Sequence, residues 1–246
     1  MQHVEINVTA SHWLAAYVIA VLRMLANDPI RRPEHDRGIK NLLSDRQGSF
    51  GELIGLYAVE MHTCLKDITH EAARFGGPTK GVDIYATGRS GKPRRIEVKC
   101  LLMGENKKRF LINGKDEATH YLLLLAKPHG KAVLVSDMRP SDLQHPEKWM
   151  HYESMYGEIG TKFMWLDDFV PAYFDDMSLG EANEKLERAG TWDHLEGIGE
   201  RVLAQAAPLR AAVAQKLAGK EITKLRFDEV VDLLVSALAD VGIKLE

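Results

Sequence analysis

The sequence predicts an α/β protein: a sheet centred on residues 81–135, flanked by helices, with an α-helical C-terminal region. Three observations carry this reading. Trp13 to Leu22 is an unbroken apolar run, shorter than the roughly 20 residues a bilayer requires, and reads as a buried helix. Across residues 81–135 the hydrophobic period falls to two, the repeat of strands. Over about the last 70 residues it returns to helical spacing.

Each element follows in order. The first helix is expected over residues 11–26, with the Ser11 hydroxyl as its N-terminal cap. From Asn27 to Gly48 the chain is polar and carries two prolines and the cluster Arg31, Arg32, Glu34, His35, Asp36 and Arg37, a connector with one short helix over 38–43. A second helix over 49–65 places Leu53, Leu56, Tyr57, Glu60 and Cys64 at three- and four-residue steps. Gly76, Gly77 and Pro78 then break the chain. Strands are expected at 81–86 and 94–100, joined by a Gly- and Pro-containing hairpin loop, with a further short strand at 109–112. A turn of helix over 116–120 precedes the run Tyr121 to Ala126, whose continuous apolarity fits a central strand covered on both faces. Residues 131–135 are its expected neighbour. A Pro-, Met- and Trp-rich stretch continues to about Met177, and helices follow at 179–189, 200–217 and 227–241. The pattern divides the chain into an N-terminal helical region, 1–48, a core, 49–139, and a mostly helical region of unassigned role, 140–246.

Composition narrows the classes. The chain has 246 residues, enough for one large domain with or without an accessory part. Its two cysteines, Cys64 and Cys100, build neither a disulfide framework nor a zinc site. The N-terminus lacks a secretory signal, so a reducing, cytoplasmic setting without a membrane is expected. The net charge of −3 hides an asymmetry: residues 72–139 carry 14 Lys and Arg against 6 Asp and Glu, a balance of +8, leaving −11 on the remainder. A basic middle in an acidic chain points to an anionic partner met at one face. Neither G-x-S-x-G nor a Walker loop is present, which leaves serine-hydrolase and P-loop readings without support. His62 and Cys64, two apart on a helix, point different ways, and with His70 they form no transition-metal pattern.

The informative stretch is Gly81-Val-Asp83, followed by Ile96-Glu97-Val98-Lys99. On a strand, Glu97 and Lys99 share one face while Val98 turns to the other, and a hairpin brings Asp83 beside them. Two carboxylates, the Val98 carbonyl and water make an all-oxygen set suited to Mg²⁺, with Mn²⁺ as a substitute. An ammonium next to such a metal orients a water, and the metal stabilises charge on a phosphoryl oxygen.

With its G-x-D-I strand, glycine-containing hairpin and apolar strand ending in E-V-K, this D-x(13)-E-x-K pattern resembles the PD-(D/E)XK nuclease superfamily. The resemblance covers residues 49–139 and departs from the family at Val82, where proline is usual. It implies a restriction-endonuclease-like central mixed sheet flanked by helices. It also implies a metal-dependent DNA endonuclease, of restriction or phage defence, in which Asp83 and Glu97 hold the metal and Lys99 positions the water. A carboxylate on the preceding helix completes such sites; Glu52 fits best, with Glu60 as the alternative. A homodimer would bring two sites to the two strands. Arg89, Lys92, Arg94 and Arg95 in the hairpin, Lys107, Lys108 and Arg109 after it, and Lys115 are candidate contacts to the phosphate backbone. Lys115 and Asp116 lie where such folds place an extra polar residue near the scissile phosphate. RNA stays open beside DNA. The competing reading from another class is a non-catalytic nucleic-acid-binding module of a larger complex; a third is hydrolysis or phosphotransfer on a nucleotide. Leu195 to Glu200, with its G-I-G turn, reads as an ordinary helix start.

Overall fold

A computed structural model of the chain describes residues 4–27, 36–75, 81–103, 110–113, 117–143, 150–154, 157–166 and 179–244. The apolar run of the sequence becomes strand β6 (His120–Ala126), and every residue from Tyr121 to Ala126 is buried. It is interior to a six-stranded mixed sheet with β1 (Val4–Asn7), β2 (Lys66–His70), β3 (Ile84–Thr87), β4 (Pro93–Leu102) and β7 (Ala132–Met138), in the order β1-β7-β6-β4-β3-β2. β4 and β6 run parallel; the other pairs are antiparallel. A second, three-stranded antiparallel sheet joins β5 (Phe110–Asn113) to β8 (Met150–Ser154) and β9 (Gly157–Leu166) in the order β5-β9-β8. The helices are α1 (Ala10–Asn27), α2 (Asp36–His62), α3 (Leu179–Ala189), α4 (Ile198–Ala204), α5 (Ala206–Leu217) and α6 (Phe227–Asp240). Among the described residues no helix is long and apolar enough to cross a membrane.

The side-chain period of two divides the main sheet's contacts between two cores. Ile96, Val98 and Leu102 of β4 join Leu122 and Leu124 of β6 in a core shared with α1, α2 and α6. Leu101 joins Tyr121, Leu123 and Leu125 in a second core with Ala182 and Leu186 of α3. The pattern that sorts these apolar residues also sends Glu97 and Lys99 away from α2.

Helix α2 lies unusually close to β4. A Cβ on Gly51 would fall 2.6 Å from Cys100 Cβ, and one on Gly55 would fall 2.7 Å from Val98 Cγ2. Glycine inside a helix costs about 1 kcal/mol relative to alanine. Here it permits backbone-to-strand contact, which burial of Phe50, Leu53 and Ile54 consolidates. Phe50 stacks on Trp13 of α1 with ring centroids 3.5 Å apart.

Several elements differ from expectation. The polar connector and two helices expected over 27–65 are largely one helix, α2, because packing outweighs the low propensity of its glycines. It ends at His62, before the expected Leu65, where the Thr63 hydroxyl donates to the Val59 carbonyl at 2.5 Å and accepts from the Leu65 N–H. α1 begins at Ala10, so Ser11 lies inside its first turn. β1 and β2 have no counterpart among the expected strands. β5 pairs with β9 outside the main sheet, and β8 and β9 occupy the Pro-, Met- and Trp-rich stretch before Met177. Of the helical turn expected over 116–120, the described residues 117–119 form a turn and bend, and His120 already begins β6. The helix expected over 200–217 is divided at Gln205 into α4 and α5. The break expected at Gly76, Gly77 and Pro78 lies outside the described residues.

Candidate active site between β3 and β4

The β3–β4 ladder runs from Thr87 opposite Pro93 to Ile84 opposite Ile96, and there it stops. Beyond it, the Val98 N–H donates 2.7 Å to Asp83 Oδ2. The carboxylate thus takes the place of a strand carbonyl. Asp83 is fixed from its other side as well, since its own carbonyl accepts the Glu71 N–H at 2.8 Å. Gly81, at φ 98°, supplies the left-handed turn that leads into this segment.

Glu97 and Lys99 leave β4 on one face, and Lys99 Nζ donates to Glu97 Oε1 at 2.7 Å. The two ends of the pair differ: the Glu97 side chain is 2% exposed and that of Lys99 20%. The carboxylate is the inner member, and the ammonium reaches solvent.

Glu52, on α2, is largely buried and held by Arg23 of α1. Arg23 Nη1 and Nη2 meet Glu52 Oε1 and Oε2 at 3.0 and 2.5 Å. Nη2 also donates to the carbonyls of Glu71 and Ala72 at 2.6 and 3.0 Å. The guanidinium therefore fastens two helices to the segment that leads toward β3. Arg23 is not among the residues that the sequence motif singles out. Its signal is present all the same, as the one Lys or Arg in residues 11–26.

These groups act on one another electrostatically. Removal from water, then the negative charges of Glu52 and Glu97, push the Asp83 carboxyl up to about 7. The Val98 hydrogen bond and the Lys99 charge pull the other way. Burial likewise raises Glu52; Arg23 opposes this and the Glu97 charge adds to it. For both carboxyls, removal from water is the largest cause.

The remaining candidates scatter. Glu60 accepts the Phe227 N–H at 3.2 and 3.3 Å, at the start of α6, and its charged neighbours are Arg226, Asp228 and Glu229 rather than Asp83 or Glu97. Val98, besides its N–H, packs its side chain on Gly55. Arg89 is exposed and donates to Cys64 Sγ at 2.8 Å; Lys92 is exposed in the hairpin loop. Arg95 shares the strand face of Glu97 and Lys99, and its Nε is buried without a hydrogen-bond partner. Arg94 lies on the opposite face, lining a cleft beside the end of α2. Lys107, Lys108, Arg109, Lys115 and Asp116 lie outside the described residues. His70 Nε2 is 3.0 Å from the Leu225 carbonyl.

The donors at this site, carboxylates and backbone carbonyls, are those a hard divalent cation takes; burial first, and the charges of Glu52 and Glu97 after it, raise Asp83 there. Among the described residues, no three or more His, Cys, Asp or Glu side chains form a group able to hold a metal ion. Each carboxylate is turned to a protein partner: Glu52 to Arg23, Glu97 to Lys99, Asp83 to the Val98 N–H. The chain matches no protein-family profile, and no curated protein or solved structure is significantly similar to it.

Proposed function

We propose that the chain is a metal-dependent phosphodiesterase of the PD-(D/E)XK kind, cutting DNA as an endonuclease in restriction or phage defence. The observation that carries the reading is the placement of Asp83 against the Val98 N–H, within the electrostatic reach of Glu97 and Lys99. The mixed sheet flanked by helices is compatible with a restriction-endonuclease-like core. The basic balance of residues 72–139 suits a polyanionic substrate.

Asp83, Glu97 and the Val98 carbonyl are the groups that would hold Mg²⁺ or Mn²⁺. Such an ion, when bound, neutralises charge on the phosphate and acidifies a water. Lys99, the solvent-reaching member of its pair, orients the attacking water. That water's oxygen bonds to phosphorus as the ester oxygen departs, and the resemblance implies inversion there. Glu52, held by Arg23, contributes negative charge that favours a cation at Asp83. Arg95, on the face of Glu97, is placed to meet a phosphate oxygen. The working location is the cytoplasm, as a homodimer or within a larger assembly.

One observation favours a second reading, a module that binds nucleic acid without cutting it: all three carboxylates already have partners within the protein. The deciding experiment presents supercoiled, linear and single-stranded DNA, and RNA, to the wild type, Asp83→Ala and Lys99→Ala with Mg²⁺, Mn²⁺ or EDTA. Metal-dependent cutting lost in both folded variants is the expected result. Binding without cutting in the wild type would replace the first reading by the second, and cutting that survives both substitutions would overturn the site.

A further inference from the structure

The face of β4 turned away from Glu97 and Lys99 borders a cleft of about 170 Å³ between the sheet and the end of α2. Ligand pockets for drug-sized molecules run to roughly 300–1,000 Å³, so this one takes a single small ring system. Val59, Ile96 and Leu122 supply apolar walls; Arg94, His120 and Asp137 supply the polar groups. The set is mixed in its hydrogen-bonding character. Arg94 donates only, and its guanidinium makes no ion pair or hydrogen bond among the described residues. His120 uses Nδ1 on the Thr119 hydroxyl at 3.1 Å, which leaves Nε2 for another partner. Burial first, then the charge of Arg94, depress His120. Because the Thr119 hydroxyl gives its hydrogen to the Arg95 carbonyl, Nδ1–H of the neutral ring donates to Thr119 and Nε2 is left as an acceptor. Asp137, opposite Leu122 in the β6–β7 ladder, accepts.

A flat body between apolar walls, with donors and acceptors at its edge, describes a nucleobase: arginine pairs with or stacks on bases, and carboxylates accept from their amino groups. We infer that this cleft is a nucleobase pocket, holding one base of the nucleic-acid strand bound by the protein. The choice of ligand rests on the nuclease reading; the cleft, its walls and its polar groups do not. Ile96 lines the pocket and is followed directly by Glu97, so a base held there lies one residue along the chain from the proposed active site, on the other side of the sheet. The exposed Arg89 and Lys92 of the hairpin lie toward the same end of β4, where a strand's phosphates would pass.

The test is a methyl-NMR titration in EDTA, with no metal and no cleavage, of the wild type, Arg94→Gln, His120→Gln and the cleft-filling Ile96→Phe, each checked for folding by circular dichroism. The probes are the four deoxynucleoside monophosphates, a short single-stranded oligonucleotide and the same oligonucleotide with an abasic position. The expected result is that at least one mononucleotide shifts the Val59, Ile96 and Leu122 methyls, and that affinity falls at least tenfold in folded Arg94→Gln and His120→Gln. The intact oligonucleotide should bind more tightly than the abasic one. Absence of those shifts, shifts elsewhere, or equal affinity in the variants overturns the pocket. Equal binding of intact and abasic strands overturns the assignment to a strand's base. Cleavage is scored separately: cutting with no base binding leaves the active site standing and removes this pocket, and base binding with no cutting does the reverse.

Discussion

Two acid–base pairs meet at the candidate site, and they are built in opposite ways. Arg23 and Glu52 come from different helices, 29 residues apart in sequence, and join through a two-pronged contact that also binds backbone carbonyls. Glu97 and Lys99 are two residues apart on one strand, joined by a contact of 2.7 Å, with the lysine reaching solvent. The first pair fastens elements together, and its cost of desolvation is offset by multiple hydrogen bonds in fixed geometry. The second contact lies within β4, between two of its own residues. A group that must meet water and substrate belongs in the second arrangement, and a group that shapes the field around it belongs in the first.

Breaking each pair should therefore give different phenotypes. Lys99→Ala should lower metal-dependent cleavage by at least about 10²-fold, the loss that misplacing a reacting group brings. Single-turnover rates on DNA, measured beside a thermal melt, check this; an equally inactive but unfolded variant would count against the assigned role. Arg23→Met should act on the fold instead, costing about 3–5 kcal/mol because Glu52 is left as an unpaired charge out of water. Chemical denaturation reads that directly.

Asp83→Asn sharpens the contrast. The amide oxygen can still accept the Val98 N–H, while the charge that Glu52 and Glu97 oppose is gone. A carboxyl raised to about 7 in the folded chain, against 3.8 as its ordinary value, binds protons more tightly folded than unfolded. Its contribution to stability is thus full below pH 4 and lost as the pH rises to about 7. The variant should match the wild type near pH 4 and exceed it by at least about 1 kcal/mol at pH 8, while losing cleavage. Melting curves of the metal-free proteins from pH 4 to 8 check this; a constant gap across that range would contradict it.

The smallest effects concern the helix that carries Glu52. Gly48 has open space around it, and Gly48→Ala should stabilise by about 0.5–1 kcal/mol without touching activity. Gly55→Ala, its Cβ 2.7 Å from Val98 Cγ2, should cost about 1–3 kcal/mol through overpacking. Parallel melts and cleavage rates separate the two.

The same contrast sets how much could be read from the chain alone. Asp83, Glu97 and Lys99 sit on neighbouring stretches of chain joined by one hairpin, so spacing and strand alternation are enough to bring them together. The buried central strand was legible because six consecutive apolar residues have few other places to go. Arg23 was not legible as Glu52's partner, because nothing local links two helices across 29 residues. The four- and five-residue strands β1 and β2 carry too little pattern of their own and exist through pairing with β7 and β3. The continuity of α2 was hidden by glycines whose reason, the close approach of β4, lies far along the chain at Val98 and Cys100.

Those glycines have one more consequence. With hydrogen atoms at Gly51 and Gly55, the helix backbone rests directly on the Cys100 and Val98 side chains of the strand. The height of Glu52 above the strand is accordingly a machined tolerance, and a single methyl inserted as a shim at Gly51 should shift the charge of Glu52 relative to Asp83 without changing either carboxylate.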